Sequence, residues 1–292
     1  MGNTNKLSIA HIINPVVVLS NSDLFIAQPI TFESMRIAGN YAKNKIDIEF
    51  YSAQYQEDRP VVPGFITKTV DLNRSILDIA PTICKRKLPF IKDILDRLYD
   101  SSKADYFIYT NVDIALAKDF YICVSKIINS GYDAFTITRR TVSRDIKTIE
   151  DIPRMYMEKG TPHPGWDCFV FSRNLYTQFR LDDIIIGYPG IGRVLLANCF
   201  RYADRFGIFR EEYLTFHIGT DSYWKDHKRK SNRAMHFNLK SAYKIVEYLY
   251  KHAPDNKAKD LEHHYLALLN ETSPWRKWNK RIINWTKWLL SV

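Results

Sequence analysis

A short aromatic and β-branched run, Tyr106-Phe-Ile-Tyr109, breaks off into Thr110-Asn111-Val112-Asp113, and helix-period segments flank it on both sides. Upstream, Arg86–Ser101 carries Leu88, Ile91, Ile94, Leu95 and Leu98 along one side, with Pro89 in its expected first turn. Downstream, Phe120–Asn129 has the same period, and Gly131 suits the C′ position that ends it. A buried strand between two amphipathic helices needs both faces of its sheet covered. The chain is therefore expected to be α/β, with a doubly wound sheet over its first half.

Other segments extend this pattern. Leu7–Leu19 is predicted as a first strand, Thr31–Lys43 as a helix, and Ile46–Phe50 as a half-exposed alternating strand. Ala134–Thr138 and Trp166–Phe171 are predicted strands, with Pro162-His163-Pro164-Gly165 as a turn between them. Leu195–Phe206 reads as a helix, Tyr213–Ile218 as a short strand, and Leu239–His252 and Lys259–Leu269 as helices. With 292 residues, 46% of them hydrophobic, the chain can bury one large core with a helical appendage.

In open α/β sheets, ligands gather beyond the carboxyl ends of the strands, which places the polar residues after Tyr109 at a candidate site. Alternation with period 2 points Asn111 and Asp113 the same way, within reach of one metal ion or ribose. Equally, both residues suit a plain turn, with Asp113 capping the next helix. Asp167 at the mouth of a strand could serve as a general base, or could bond the turn amides of His163-Pro-Gly. Gly187, Gly190 and Gly192 could admit close backbone approach of a sugar or phosphate beside Arg193, or could simply bend the chain. Arg74 is a further candidate for contact with a nucleotide.

The net charge of +10 favours acidic partners such as phosphates or an anionic lipid surface. Nucleic acid is not expected, because the basic residues are spread and no recognition motif accompanies them. Cys84, Cys123, Cys168 and Cys199 have no Cys-x-x-Cys spacing, which speaks against a disulfide framework or thiolate zinc site and for a cytoplasmic setting. Neither a Walker sequence nor a dinucleotide fingerprint is present. Lys225–Lys230 is a basic run, readable as a solvated loop or as a cover over a leaving diphosphate. On a helix, Trp275, Trp278, Ile282, Trp285 and Leu289 share one side, opposite Arg276, Lys277, Lys280, Arg281 and Lys287. Such a helix could lie at a membrane interface or pack on the rest of the chain.

The order of segments resembles glycosyltransferases of the GT-A fold, the nucleotide-diphospho-sugar transferase class. Tyr109-Thr-Asn-Val-Asp-Ile114, Gly165-Trp-Asp-Cys-Phe-Val-Phe171, Ile186-Gly187 with Ile191-Gly192-Arg193, and Phe216-His-Ile-Gly219 carry the resemblance, which spans Leu7 to Trp224. It also extends to bacterial glycosyltransferase-like proteins. The resemblance implies a GT-A-like mixed sheet with helices on both faces over residues 1–224. A basic loop and C-terminal helices would occupy residues 225–292. It further implies an Asp-x-Asp motif at the end of a central strand, so that Mn²⁺ or Mg²⁺ would be held by Asp113 and His217, with Asn111 in the first motif position and Asp167 as acceptor-binding residue or base. Asn111 stands where that motif has a carboxylate, so less charge is available to hold the cation. The implied activity is transfer from a nucleotide-sugar to a saccharide or lipid-linked acceptor in surface-polysaccharide assembly, by a cytoplasmic protein peripheral to the membrane. The rival expectation is a non-catalytic basic module binding anionic membrane or polysaccharide on the same scaffold.

Overall fold

A computed structural model describes residues 6–158, 160–210, 212–219 and 233–272. The basic run Lys225–Lys230 and the helix expected over Trp275–Val292 lie outside the described residues.

Four strands, β1 (Ser8–Ile13), β2 (Asp47–Ser52), β3 (Thr67–Lys68) and β4 (Tyr106–Thr110), run parallel. The sheet continues through β7 (Thr161–Ser172), antiparallel to β4, and β6 (Ala134–Thr141), antiparallel to β7. β9 (Thr215–His217) lies parallel to β6, and β5 (Ile114–Leu116) is antiparallel to β9. The order is β3-β2-β1-β4-β7-β6-β9-β5, with β8 (Phe206–Phe209) also paired to β6. The mixed, doubly wound sheet is the architecture expected from the sequence.

Helices cover both faces. One face buries α3 (Ile91–Ser101), α6 (Arg173–Tyr176), α7 (Ile191–Tyr202), α8 (Arg233–Lys251) and α9 (Asp255–Thr272) around Phe107, Phe169 and Phe171. The other buries α1 (Asp23–Ala42), α4 (Phe120–Asn129) and α5 (Ile152–Met157) around Ile9, Ile108 and Val170. A four-residue α2 (Ile76–Ile79) packs into a smaller cluster with Phe90 and Ile185. Leu239, Ile245, Val246, Leu249, Leu261 and Leu268 of α8 and α9 are fully or nearly buried in the same cluster as the central strands. Each such side chain contributes about 1.5–3 kcal/mol on burial, as an upper estimate.

Several boundaries differ from the sequence reading, each for a physical reason. β1 ends at Ile13, before Asn14-Pro15, because proline offers no N–H to the ladder. α1 begins at Asp23 rather than Thr31, with the Ser22 side chain accepting from Leu24 N at 3.3 Å. Pro29 lies inside that helix, and the buried face of Ala27, Ile30, Met35 and Ala38 carries the helix through it. α3 begins at Ile91, so Pro89 precedes the helix instead of opening it. Phe90 bridges to Ile185, and Ile91 N donates to Ile184 O at 2.9 Å, which engages the backbone that would have formed the earlier turn. α4 spans the expected Phe120–Asn129, and Gly131 lies just beyond it with φ of 92°. Among the described residues, no helix is long and apolar enough to cross a membrane.

Candidate active site

Strand directions bring the candidate residues to one edge of the sheet. The carboxyl ends of β1, β2, β4, β6 and β9 share that edge, together with the amino-terminal part of β7. Asn111 comes directly after β4, Asp113 precedes β5, Arg139 and Arg140 lie near the end of β6, and His163 and Asp167 lie early in β7. His217 closes β9.

The period-2 alternation read for Asn111 and Asp113 does not extend to them, because both lie beyond the end of the strand. β4 stops at Thr110, and residues 111–113 turn, with Ile114 N donating to Asn111 O at 3.2 Å. The two side chains consequently join different partners. Asn111 Nδ2 donates to Asp167 Oδ1 at 2.9 Å, and Tyr109 Oη donates to Asn111 Oδ1 at 3.0 Å. Asp113 Oδ2 lies 3.3 Å from His217 Nε2, in register with the Ile114–His217 pair of β5 and β9.

Asp167 owes its direction to irregular pairing. Ile137 pairs with Cys168, but Thr138 pairs with Trp166, so Asp167 is an extra residue in a β-bulge. A second shift, from Thr138–Trp166 to Arg140–Pro162, accommodates His163-Pro164-Gly165 within the strand. The expected turn at Pro162–Gly165 is thus a bulged part of β7. Gly165 N lies 2.9 Å from His163 Nδ1 and Arg139 Nη2 lies 3.4 Å from His163 Nε2, and a neutral ring, with one acceptor nitrogen, accepts from only one of these two donors at a time.

Sequence reasoning missed Arg139. Its Nη1 lies 3.0 Å from Asp167 Oδ2, with the two side chains only 10% and 15% exposed. The available signal was the Arg139-Arg140 pair continuing an apolar strand predicted to stop at Thr138. Arg140 Nη2 donates to Gly160 O at 2.7 Å, and its guanidinium stacks 4.1 Å from the Tyr213 ring. Tyr109 was also missed. Burial first, then the charges of Asp167 and Asp113, hold its phenol well above the usual range, so it remains a donor.

The other candidates occupy different settings. Arg74 makes a forked pair with Asp93, at 2.7 and 3.0 Å, and reaches Asp183 at 3.2 Å. Its guanidinium also lies 4.5 Å from the Phe90 ring centroid. Gly187 has φ of 78° with open space around its Cβ position, so its backbone conformation, not close approach, accounts for glycine there. Arg193 lies in the first turn of α7, where its charge acts on His264. Gly192 packs beside Trp166, the residue before Asp167, its Cβ position being 3.2 Å from Trp166 O.

The residues can be tested against a divalent cation. Asp113 Oδ1 is buried and has no hydrogen-bond partner among the described residues, and the other carboxylate oxygen faces an imidazole nitrogen. No group of three or more His, Cys, Asp or Glu able to hold a metal occurs among the described residues. This donor set fits a cation that shares its shell with substrate oxygens, as Mg²⁺ commonly does, rather than a closed protein cage.

Comparison with solved structures places the sheet and helices in the GT-A fold, as the sequence resemblance implied. S. aureus TarS, residues 1–349 in complex with UDP-GlcNAc, superposes with a TM-score of 0.54 at 8% identity. That match covers 91% of this chain and 74% of TarS 1–349. A second crystal structure of TarS 1–349 gives 0.52 at 8% identity, covering 91% and 73%. Glucosyl-3-phosphoglycerate synthase from Mycobacterium tuberculosis, with phosphoglyceric acid, reaches 0.48 at 12% identity, covering 81% and 80%. No protein-family profile matches the sequence, and no curated protein does.

Proposed function

We propose that the protein is a glycosyltransferase, moving a sugar from a nucleoside-diphosphate donor to a hydroxyl of a saccharide or lipid-linked acceptor. The supporting observation is that Asp113–His217 and Asn111–Asp167–Arg139 meet at the carboxyl edge of a GT-A sheet. A UDP-sugar is the first donor class to try, because the TarS structure with this fold holds UDP-GlcNAc.

In this reading Asp113 and His217 would hold Mn²⁺ or Mg²⁺, which when bound would offset charge developing on the leaving diphosphate. Asp167 takes the proton of the attacking hydroxyl as the new bond to the anomeric carbon forms. The bond from that carbon to the diphosphate oxygen breaks, and its electron pair leaves with the nucleoside diphosphate. Arg139 compensates the Asp167 charge in a setting with little water. Gly187 and Arg193 are carried in this reading as donor-binding residues, in the connection into α7 and in its first turn. Arg74 would have to release Asp183, its longer contact, before meeting a phosphate. The Trp275–Val292 pattern supports a lipid-linked acceptor, met at the inner face of a membrane during surface-polysaccharide assembly.

A thermal-shift screen of the full chain across nucleotide-sugars, with and without Mn²⁺, tests the reading. Ligand at a hundredfold excess over its Kd stabilises the folded state by about 2.7 kcal/mol. A screen in which no nucleotide-sugar raises the melting temperature would remove the donor from this reading.

A further inference from the structure

Asn111 stands where the GT-A resemblance expects a carboxylate, and the geometry around it assigns that amide a different task. Its carbonyl oxygen accepts from Tyr109, whose phenol is buried and stays protonated. Its Nδ2 group faces Asp167 Oδ1 at 2.9 Å. An ionised carboxylate only accepts hydrogen bonds, so this network fixes which way the amide points. Backbone contact reinforces the pairing, with Asn111 N donating to Asp167 O at 3.4 Å. The other Asp167 oxygen is held by Arg139 at 3.0 Å. Asp167 therefore rests between an amide and a guanidinium, in a bulge that turns it out of the regular ladder.

A carboxylate at position 111 would meet the Asp167 carboxylate at hydrogen-bonding distance with no proton to share, a costly arrangement in a poorly hydrated site. The amide removes that conflict and converts the contact into a charge-assisted hydrogen bond. We propose that Asn111 is a positioning residue for Asp167 and not a ligand of the donor-bound cation, which falls to Asp113 and His217 alone. This rests on the glycosyltransferase reading for its catalytic meaning, while the Asn111–Asp167 contact stands independently of it. The amide at position 111 is then not a mark of a degenerate site, because its donor group is what Asp167 requires.

The test uses the full chain, with Mn²⁺ and UDP as probes. In titration calorimetry, Asn111→Ala should bind UDP with Mn²⁺ within about twofold of wild type, whereas Asp113→Ala should weaken binding at least about tenfold. With a UDP-sugar that the wild type turns over, Asn111→Ala should lower kcat about tenfold at unchanged donor KM. Adding Asn111→Ala to Asp167→Ala should then cost no further activity. Equal loss of UDP–Mn²⁺ binding in Asn111→Ala and Asp113→Ala, or additive loss of turnover with Asp167→Ala, would overturn the assignment. A wild type that binds no UDP leaves the decision to stability. Asn111→Asp should then melt below both wild type and Asn111→Ala, and a melt equal to wild type would reject the contact.

Discussion

Arg139 and Asp167 face each other at 3.0 Å with little of either side chain in water. Removing one half of such a pair leaves a poorly hydrated charge without its counterion. Arg139→Met should therefore lower unfolding free energy by about 3 kcal/mol in urea titrations, whereas Arg139→Met with Asp167→Leu should recover most of that loss. A single variant as stable as wild type would show that solvent reaches the pair freely. The polar residues themselves were readable: Asn111, Asp113, Asp167 and His217 all sit in the segments that carry the GT-A resemblance, and all lie at the same sheet edge. Their pairing was not. It depends on a bulge at Asp167, set by β6–β7 pairing between residues about thirty apart, and on β4 stopping at Thr110, after which Asn111 meets Asp167 across a separation of 56 residues. Arg139 escaped notice because a buried arginine announces itself only through its partner.

Strands and helices were more visible than their limits. α4 appears as read because its apolar period, its length and Gly131 agree with one another. α1 was read to begin eight residues late: Pro29 lies in the missed part, and the burial of Ala27 and Ile30 there comes from packing against the rest of the chain. α3 was read too long because Leu88 fits its period, while the backbone at Phe90 pairs with Ile185 instead. The connection into α7 offers a direct check. Gly190 has φ of 117°, and a Cβ there would sit 3.2 Å from the Ala242 side chain of α8. Gly190→Ala should cost about 1–3 kcal/mol in unfolding free energy. Gly64, with open space around its Cβ position, should accept alanine with a change of no more than about 1 kcal/mol in either direction. Equal effects at the two sites would contradict the strained junction between α7 and its preceding loop.

Taken across the molecule, the mixed sheet is covered on one face by α1, α4 and α5 and on the other by helices that include α8 and α9. Buried histidines lie on both sides of this arrangement. His11 in β1 bonds Tyr121 Oη at 2.8 Å and Thr110 Oγ1 at 2.9 Å, and burial pulls its pKa down to about 3. His264 in α9, edge-on to Trp166, is pulled down to about 4 by burial first, then by His263 and Arg193. Both rings are neutral when folded, and both would take up protons near the ordinary 6.5 once unfolded. Their contribution is fully present above pH 6.5 and declines as pH falls toward 4, because the unfolded chain then binds more protons. Each should remove about 2 kcal/mol between pH 7 and pH 5. Urea midpoints at the two pH values measure the sum, and His264→Gln should reduce the decline by about half. A flat profile would place both rings in water.

In the proposed reading, a nucleotide-sugar and its cation meet Asp113 at the carboxyl edge of this sheet. Calorimetric titration of UDP-GlcNAc in Mn²⁺ into wild type and Asp113→Ala, at matched folding stability, tests it most directly. The expected result is saturable, Mn²⁺-dependent binding to wild type and at least about tenfold weaker binding to Asp113→Ala. Equal affinity in the two proteins would contradict it.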